Sequence, residues 1–216
     1  MDKSASQFCT RGVATVMLLS LLSACGGAAT TALTVTPTPV VTPTPASTSL
    51  AQMSATYTAL LAEYIPVVYT DLAIVPSSGN AVYTGIVQGN LSNAGDTLTD
   101  EVTGKMALSV TFSPSTANVS GSATNFRDED GAAMTGSLTF SGGAFDRDGD
   151  TGSDATFTLS ANGTLTDTNS QQLVFGTTLE GDFWGSSYDA VGGDMLGRVT
   201  NNGARQDFDG KFIAER

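Results

Sequence analysis

The chain contains no histidine and only two cysteines, Cys9 and Cys25, in 216 residues. Without histidine there is no Ser-His-Asp triad, no imidazole general base, no His-ligated zinc and no proximal haem histidine. Both thiols lie in the first 25 residues, so the remainder of the chain has no disulfide, no thiolate metal site and no cysteine nucleophile. Chemistry based on carboxylates or tyrosine alone is left open, but nothing marks a substrate cleft, and the chain reads as a non-enzyme. Charged residues are also scarce, at 14%, and Ser and Thr fill most remaining polar positions. That composition suits half-buried strands better than charged amphipathic helices. The net charge of -12 opposes binding to nucleic acid or anionic headgroups.

The N-terminus carries an address. Lys3 and Arg11 precede an apolar stretch from Val13 to Leu22. Ten residues are half the length of a membrane-spanning helix and suit a signal-peptide core. The stretch runs into Leu22-Ser23-Ala24-Cys25-Gly26, which resembles the bacterial lipobox. The resemblance implies cleavage after residue 24 and a diacylglycerol (with a further acyl chain such as palmitate) on Cys25. Several acyl chains suffice for stable anchoring. Gly26 and Gly27 lack the aspartate that retains such proteins at the inner membrane, which favours the outer membrane, on its surface or periplasmic face. Residues 1–24 thus read as a lipoprotein signal peptide, and 25–49 as the lipidated cysteine with a linker. The Thr-Pro repeat from Thr36 to Pro45 cannot form helix and prefers extended polyproline II.

Leu50, Met53, Tyr57, Leu60, Leu61 and Tyr64 recur at helical spacing between the capping residues Ser47 to Ser49 and Pro66. This predicts a short helix over about 50–64 within a lead-in of residues 50–78, its apolar stripe covering one end of the following domain. From Val82 onward the period changes to two, as in Met106-Leu108-Val110-Phe112 and Met134-Gly136-Leu138-Phe140. Eight strands are predicted, near 80–89, 103–113, 116–126, 133–142, 154–165, 171–184, 190–200 and 206–215. Glycine repeats on the apolar face at Gly85, Gly121, Gly136, Gly181, Gly193 and Gly210. Glycine weakens a strand unless curvature or close packing demands it. The expectation is an all-β fold: a soluble, up-and-down, eight-stranded antiparallel closed β-barrel over 79–216, after a short helix and a disordered Thr/Pro tether. A membrane barrel would turn apolar residues outward, whereas here the outer face reads Thr135, Ser137, Thr139 and Ser141.

Three segments carry a family resemblance: Leu179 to Met195 with its Gly181-Asp-Phe183-Trp184-Gly185 turn before Ala190 and Gly192-Gly193, the final Phe208 to Arg216, and Val75 to Gly85. Together they resemble the barrel domain of transferrin-binding protein B over roughly residues 72–216. The resemblance implies an eight-stranded barrel on an outer-membrane lipoprotein, as in relatives that bind transferrin, haemoglobin or complement factor H. It implies a part in iron or haem acquisition by analogy. The chain differs in having one barrel where that protein has two lobes, and no binding residue carries over. Trp184, Gly185 and the Ala190 to Gly193 run read as turn and packing residues.

Two acidic loops complete the inventory. Asp146, Asp148, Asp150 and Asp154 crowd around Gly149, and Asp128, Glu129 and Asp130 precede Gly131. The first set is a candidate calcium site, since calcium takes several oxygens from a short flexible loop. Aspartate and glycine are equally what hairpin turns use. No other cofactor is expected. The leading function is a non-catalytic binding module for a protein or small ligand. The alternatives are a carrier holding a small molecule inside the barrel and a structural envelope lipoprotein. A carrier would have a lined inner cavity, and a docking module a packed lumen with an exposed apolar patch near Trp184 or Tyr188.

Overall fold

Alternation of inward and outward side chains organises nearly everything beyond residue 79. The computed structural model describes residues 48–93, 100–146 and 155–216. Helix α1 (Leu50–Tyr64) precedes eight strands: β1 (Gly79–Ser92), β2 (Asp100–Phe112), β3 (Thr116–Asp128), β4 (Thr135–Asp146), β5 (Thr156–Thr166), β6 (Gln172–Trp184), β7 (Ala190–Asn201) and β8 (Ala204–Glu215). Each strand pairs antiparallel with the next, and β8 pairs back onto β1, which closes the barrel. The expected helix and eight-stranded antiparallel closed barrel are observed, with strands mostly a few residues longer than the sequence pattern marked, while the Thr/Pro segment lies outside the described residues.

The lumen holds the core. In β6, Leu173, Phe175, Thr177, Leu179, Gly181 and Phe183 are buried, while Val174, Thr178 and Glu180 between them are exposed. Tyr83, Phe140, Phe157, Phe183 and Phe212 are among the largest fully buried side chains. Phe183 meets Tyr83 at 5.9 Å and Phe157 at 5.6 Å between ring centroids, both edge-to-face, the arrangement favoured by ring quadrupoles. Lower down, Phe175 and Phe208 make the same contact at 5.3 Å. Buried Thr177 satisfies its hydroxyl by donating to the Ala161 carbonyl at 3.3 Å.

The inward glycines make room for these rings. A Cβ on Gly181 would stand 2.5 Å from Phe212 Cζ and 2.8 Å from Phe157 Cζ. One on Gly210 would stand 2.6 Å from Phe208 Cε1. Register shifts interrupt the ladders at Thr103/Lys105, Val119/Gly121 and Ser141/Ala144. Such bulges bend a strand and raise its twist, which closure requires.

Helix α1 begins with a capping box: Ser49 Oγ accepts from the Gln52 backbone N–H, and the Gln52 side chain accepts from the Ser49 N–H at 2.9 Å. Its position corrects the expectation that it covers a barrel end. Met53, Tyr57 and Leu60 pack on the outer wall against Ile86, Trp184, Ala190 and Ile213. The cause is visible in the strand pattern: Ile86 and Ile213 face outward beside inward Val87 and Phe212, so a patch of wall is apolar on both faces. Asn125 Nδ2 and Arg127 Nε both donate to the Thr48 carbonyl at 3.2 Å, fixing the start of the helix against β3.

Because the lumen is filled by rings seated on glycines, both deletion and insertion should be costly. Phe183→Ala is expected to lose about 3–5 kcal/mol. Gly181→Val is expected to lose at least ~1–3 kcal/mol through overpacking. Urea unfolding of each variant against the parent checks both values, and a change below the lower figures would contradict a close-packed lumen.

Candidate functional site

The two barrel ends are built differently. At one end lie the β2–β3 and β6–β7 connections; at the other lie β3–β4, β5–β6 and β7–β8. The first is capped by the lead-in after α1. Thr70 N–H donates to the Phe183 carbonyl at 2.8 Å, Gly185 N–H donates to the Val68 carbonyl at 2.8 Å, and Thr70 Oγ1 donates to the Gly185 carbonyl at 2.7 Å. These bonds lay residues 68–70 along the end of β6, after which Leu72 and Val75 pack into the lumen cluster.

Tyr188 finishes this cap. Its ring meets Phe112 at 5.9 Å, its carbonyl accepts from Tyr83 Oη at 2.9 Å, and the Arg216 guanidinium lies 4.2 Å from its ring centroid. Arg216 also reaches Asp189 at 3.6 Å, so the last residue pins the β6–β7 turn. Burial pushes the Tyr83 phenol well above its ordinary value, outweighing the nearby Arg216 charge that pulls it down. Trp184 is only 9% exposed beneath the helix. Trp184 and Tyr188 are thus packing residues. The exposed apolar side chains lie beside them on the lead-in, at Ile65, Val68, Tyr69 and Ile74.

Among the described residues nothing caps the opposite end. A pocket of about 280 Å³ has Leu91, Val102, Met134 and Leu173 among its lining, with Asp100, Glu101, Asp128, Glu129, Asp130 and Asp167 around it. The arrangement follows from register. Inward Val102, Phe126, Leu165, Leu173, Val199 and Phe208 are apolar; two residues further toward this end stand Asp100, Asp128, Asp167, Gln171, Asn201 and Gln206. Some of these carboxylates also shape the turns. Asp128 Oδ1 accepts from Ala132 N–H at 2.7 Å, and Asp167 Oδ1 accepts from the N–H groups of Asn169 and Gln171 at 2.8 and 2.7 Å.

Of the acidic residues singled out in the sequence, Asp128, Glu129 and Asp130 therefore reach this pocket, whereas Arg127 turns onto the outer wall beneath Thr48. Asp100, Glu101 and Asp167 were missed, although continuing each strand's inward parity past its last apolar residue finds Asp100 and Asp167. Asp148, Asp150 and Asp154 of the candidate calcium loop lie outside the described residues, as does Cys25; Asp146 is the last residue of β4. Among the described residues no group of three or more His, Cys, Asp or Glu side chains is arranged to hold a metal ion. No helix among them is long and apolar enough to cross a membrane.

No family model matches this chain, and no curated protein sequence matches it.

The Tyr83 phenol yields a pH prediction. A phenol held neutral by the fold contributes stability in full below its ordinary value of 10.0, and this is lost as pH rises above that point. Stability measured by urea unfolding should fall as pH rises above about 10. Tyr83→Phe should be less stable at neutral pH by about 0.5–1.5 kcal/mol and show a shallower alkaline fall. An unchanged slope would contradict burial of that phenol.

Proposed function

We propose that this chain is an outer-membrane lipoprotein, anchored through acyl chains on Cys25, whose barrel is a non-catalytic binding module. The observation that carries the binding reading is the packed lumen, with one end left uncovered among the described residues. A carrier of an apolar molecule needs an empty interior, and that space is taken by Phe157, Phe183, Phe212 and their neighbours. What is left for a partner is the rim, its loops and the apolar strip of the lead-in. The outward Thr, Ser and Asp side chains of the strands suit a barrel held in water by a lipid, not one threaded through it. The basic N-terminus, apolar core and Ser23-Ala24-Cys25 sequence support the anchor. The resemblance to transferrin-binding protein B suggests that the partner serves nutrient acquisition, with iron or haem the first to try.

Expression of the full chain in a Gram-negative host with an alkyne-tagged fatty acid tests the anchor. The parent should be labelled and sediment with outer membranes; Cys25→Ala should be unlabelled and keep its first 24 residues. An unlabelled, unsedimented parent would overturn the lipoprotein reading. For the binding reading, detergent-solubilised full chain should retain a saturable partner from serum or growth medium. Failure to retain any protein or small molecule from either would count against it.

A further inference from the structure

The lead-in departs from the surface pattern of the strands. Outward strand positions are mostly Thr, Ser and Asp, yet four of the seven exposed large apolar side chains among the described residues, Ile65, Val68, Tyr69 and Ile74, fall in this one segment. Apolar residues scattered singly need no explanation, whereas a cluster marks a contact surface. The backbone that presents them is fixed. Val68 and Thr70 are bonded to the end of β6, and Asp71 accepts from Ala73 N–H through Oδ1 and from Ile74 N–H through its carbonyl, both at 2.8 Å. A surface ordered beforehand loses little entropy on association. The end of α1, the lead-in and the β6–β7 turn together line a groove of about 420 Å³. Tyr64, Pro66 and Val68 give its apolar lining, and Glu63 and Asp189 bring a carboxylate each. Around Tyr64 the charges of Glu63, Glu215 and Asp189 outnumber the one guanidinium, Arg216.

Charge and the point of chain entry decide what fits there. A second copy would set like carboxylates against these, at a net charge of -12 per chain. Anionic headgroups are opposed in the same way. Residues 1–47, outside the described structure, join at Thr48, which Asn125 and Arg127 hold near the β3–β4 connection. The 15 residues of α1, about 22 Å at 1.5 Å each, separate that point from the groove. An anchor on Cys25 therefore draws on the end of the helix remote from the groove. We infer, resting on the binding-module reading, that the groove docks a polypeptide segment of a partner protein presenting a large apolar side chain beside a lysine or arginine. The apolar side chain lies against Pro66 and Val68, and the cation meets Glu63, with Asp189 shared with Arg216. The net charge steers such a partner toward the protein and makes its capture sensitive to salt.

Isothermal titration of the full chain in phosphatidylcholine nanodiscs, with empty nanodiscs as blank, tests this with a short peptide of alternating leucine and arginine. A peptide of alternating serine and arginine carries the same charge without the apolar part. The first should bind saturably, and the second about tenfold more weakly or worse. Val68→Ser should weaken the first by about tenfold, the scale of one buried valine side chain. Glu63→Gln should weaken it about threefold, as befits an exposed ion pair. Val174→Ser removes an exposed valine from the outer wall of β6 and should leave binding unchanged. Circular dichroism melting of each variant establishes that it is folded before titration. Photolysis of a Val68→benzoylphenylalanine variant with the leucine–arginine peptide should join the two. A product with lipid, or with a second copy of the chain, in place of the peptide would give the groove to the bilayer or to self-association and overturn the inference. So would equal binding of the two peptides, binding of neither, or a loss in Val174→Ser as large as in Val68→Ser. Loss of this inference alone would appear as a natural partner retained from serum or growth medium equally well by Val68→Ser. Loss of the binding-module reading would appear as no retained partner at all.

Discussion

The constraint on which the rest depends is the width of an eight-stranded barrel. Eight strands enclose a space that side chains can just fill, and this chain fills it with phenyl rings seated over glycines. Phe208 rests on Gly210 and Gly89, and Phe212 and Phe157 on Gly181. Rings of that size fit only because facing positions carry no side chain, so the large and small residues form a single pattern around the barrel. That pattern explains why glycine recurs on faces where it would otherwise weaken a strand. It also removes the interior as a place for function.

Filling the interior pushes every remaining possibility to the ends and the outer wall, and these are not alike. The lead-in closes one end with three hydrogen bonds to Phe183 and Gly185 and with the side chains of Leu72 and Val75. Arg216 and Tyr188 complete that closure. Helix α1 covers the apolar stretch of outer wall at Ile86, Ala190 and Ile213. The remaining end keeps a polar layer above the last apolar one. The capped end and the helix are matters of burial; at the other end, among the described residues, carboxylates gather around a shallow apolar floor.

Much of this was legible in the sequence because period-two patterning is a local signal. The eight strands, the inward glycines and the helix all follow from residues within a short window. The resting place of α1 was not legible, since it depends on Ile86 and Ile213 meeting across the β1–β8 seam, 127 positions apart in sequence and paired only on closure. The acidic pocket was half legible. Asp128, Glu129 and Asp130 stood out as a cluster, but Asp100, Asp167 and Asn201 are scattered singly and converge only through register. Trp184 was read as a packing residue from its place in the Gly181 to Gly185 turn, and its burial under α1 accords with that.

Xenon diffraction from crystals of the protein tests the central claim, that the lumen is filled by its own side chains, most directly. Xenon enters apolar cavities that water leaves dry. The account predicts no xenon site among Tyr83, Phe157, Phe183 and Phe212. An occupied site between those rings would contradict it and return the barrel interior to consideration as a ligand chamber.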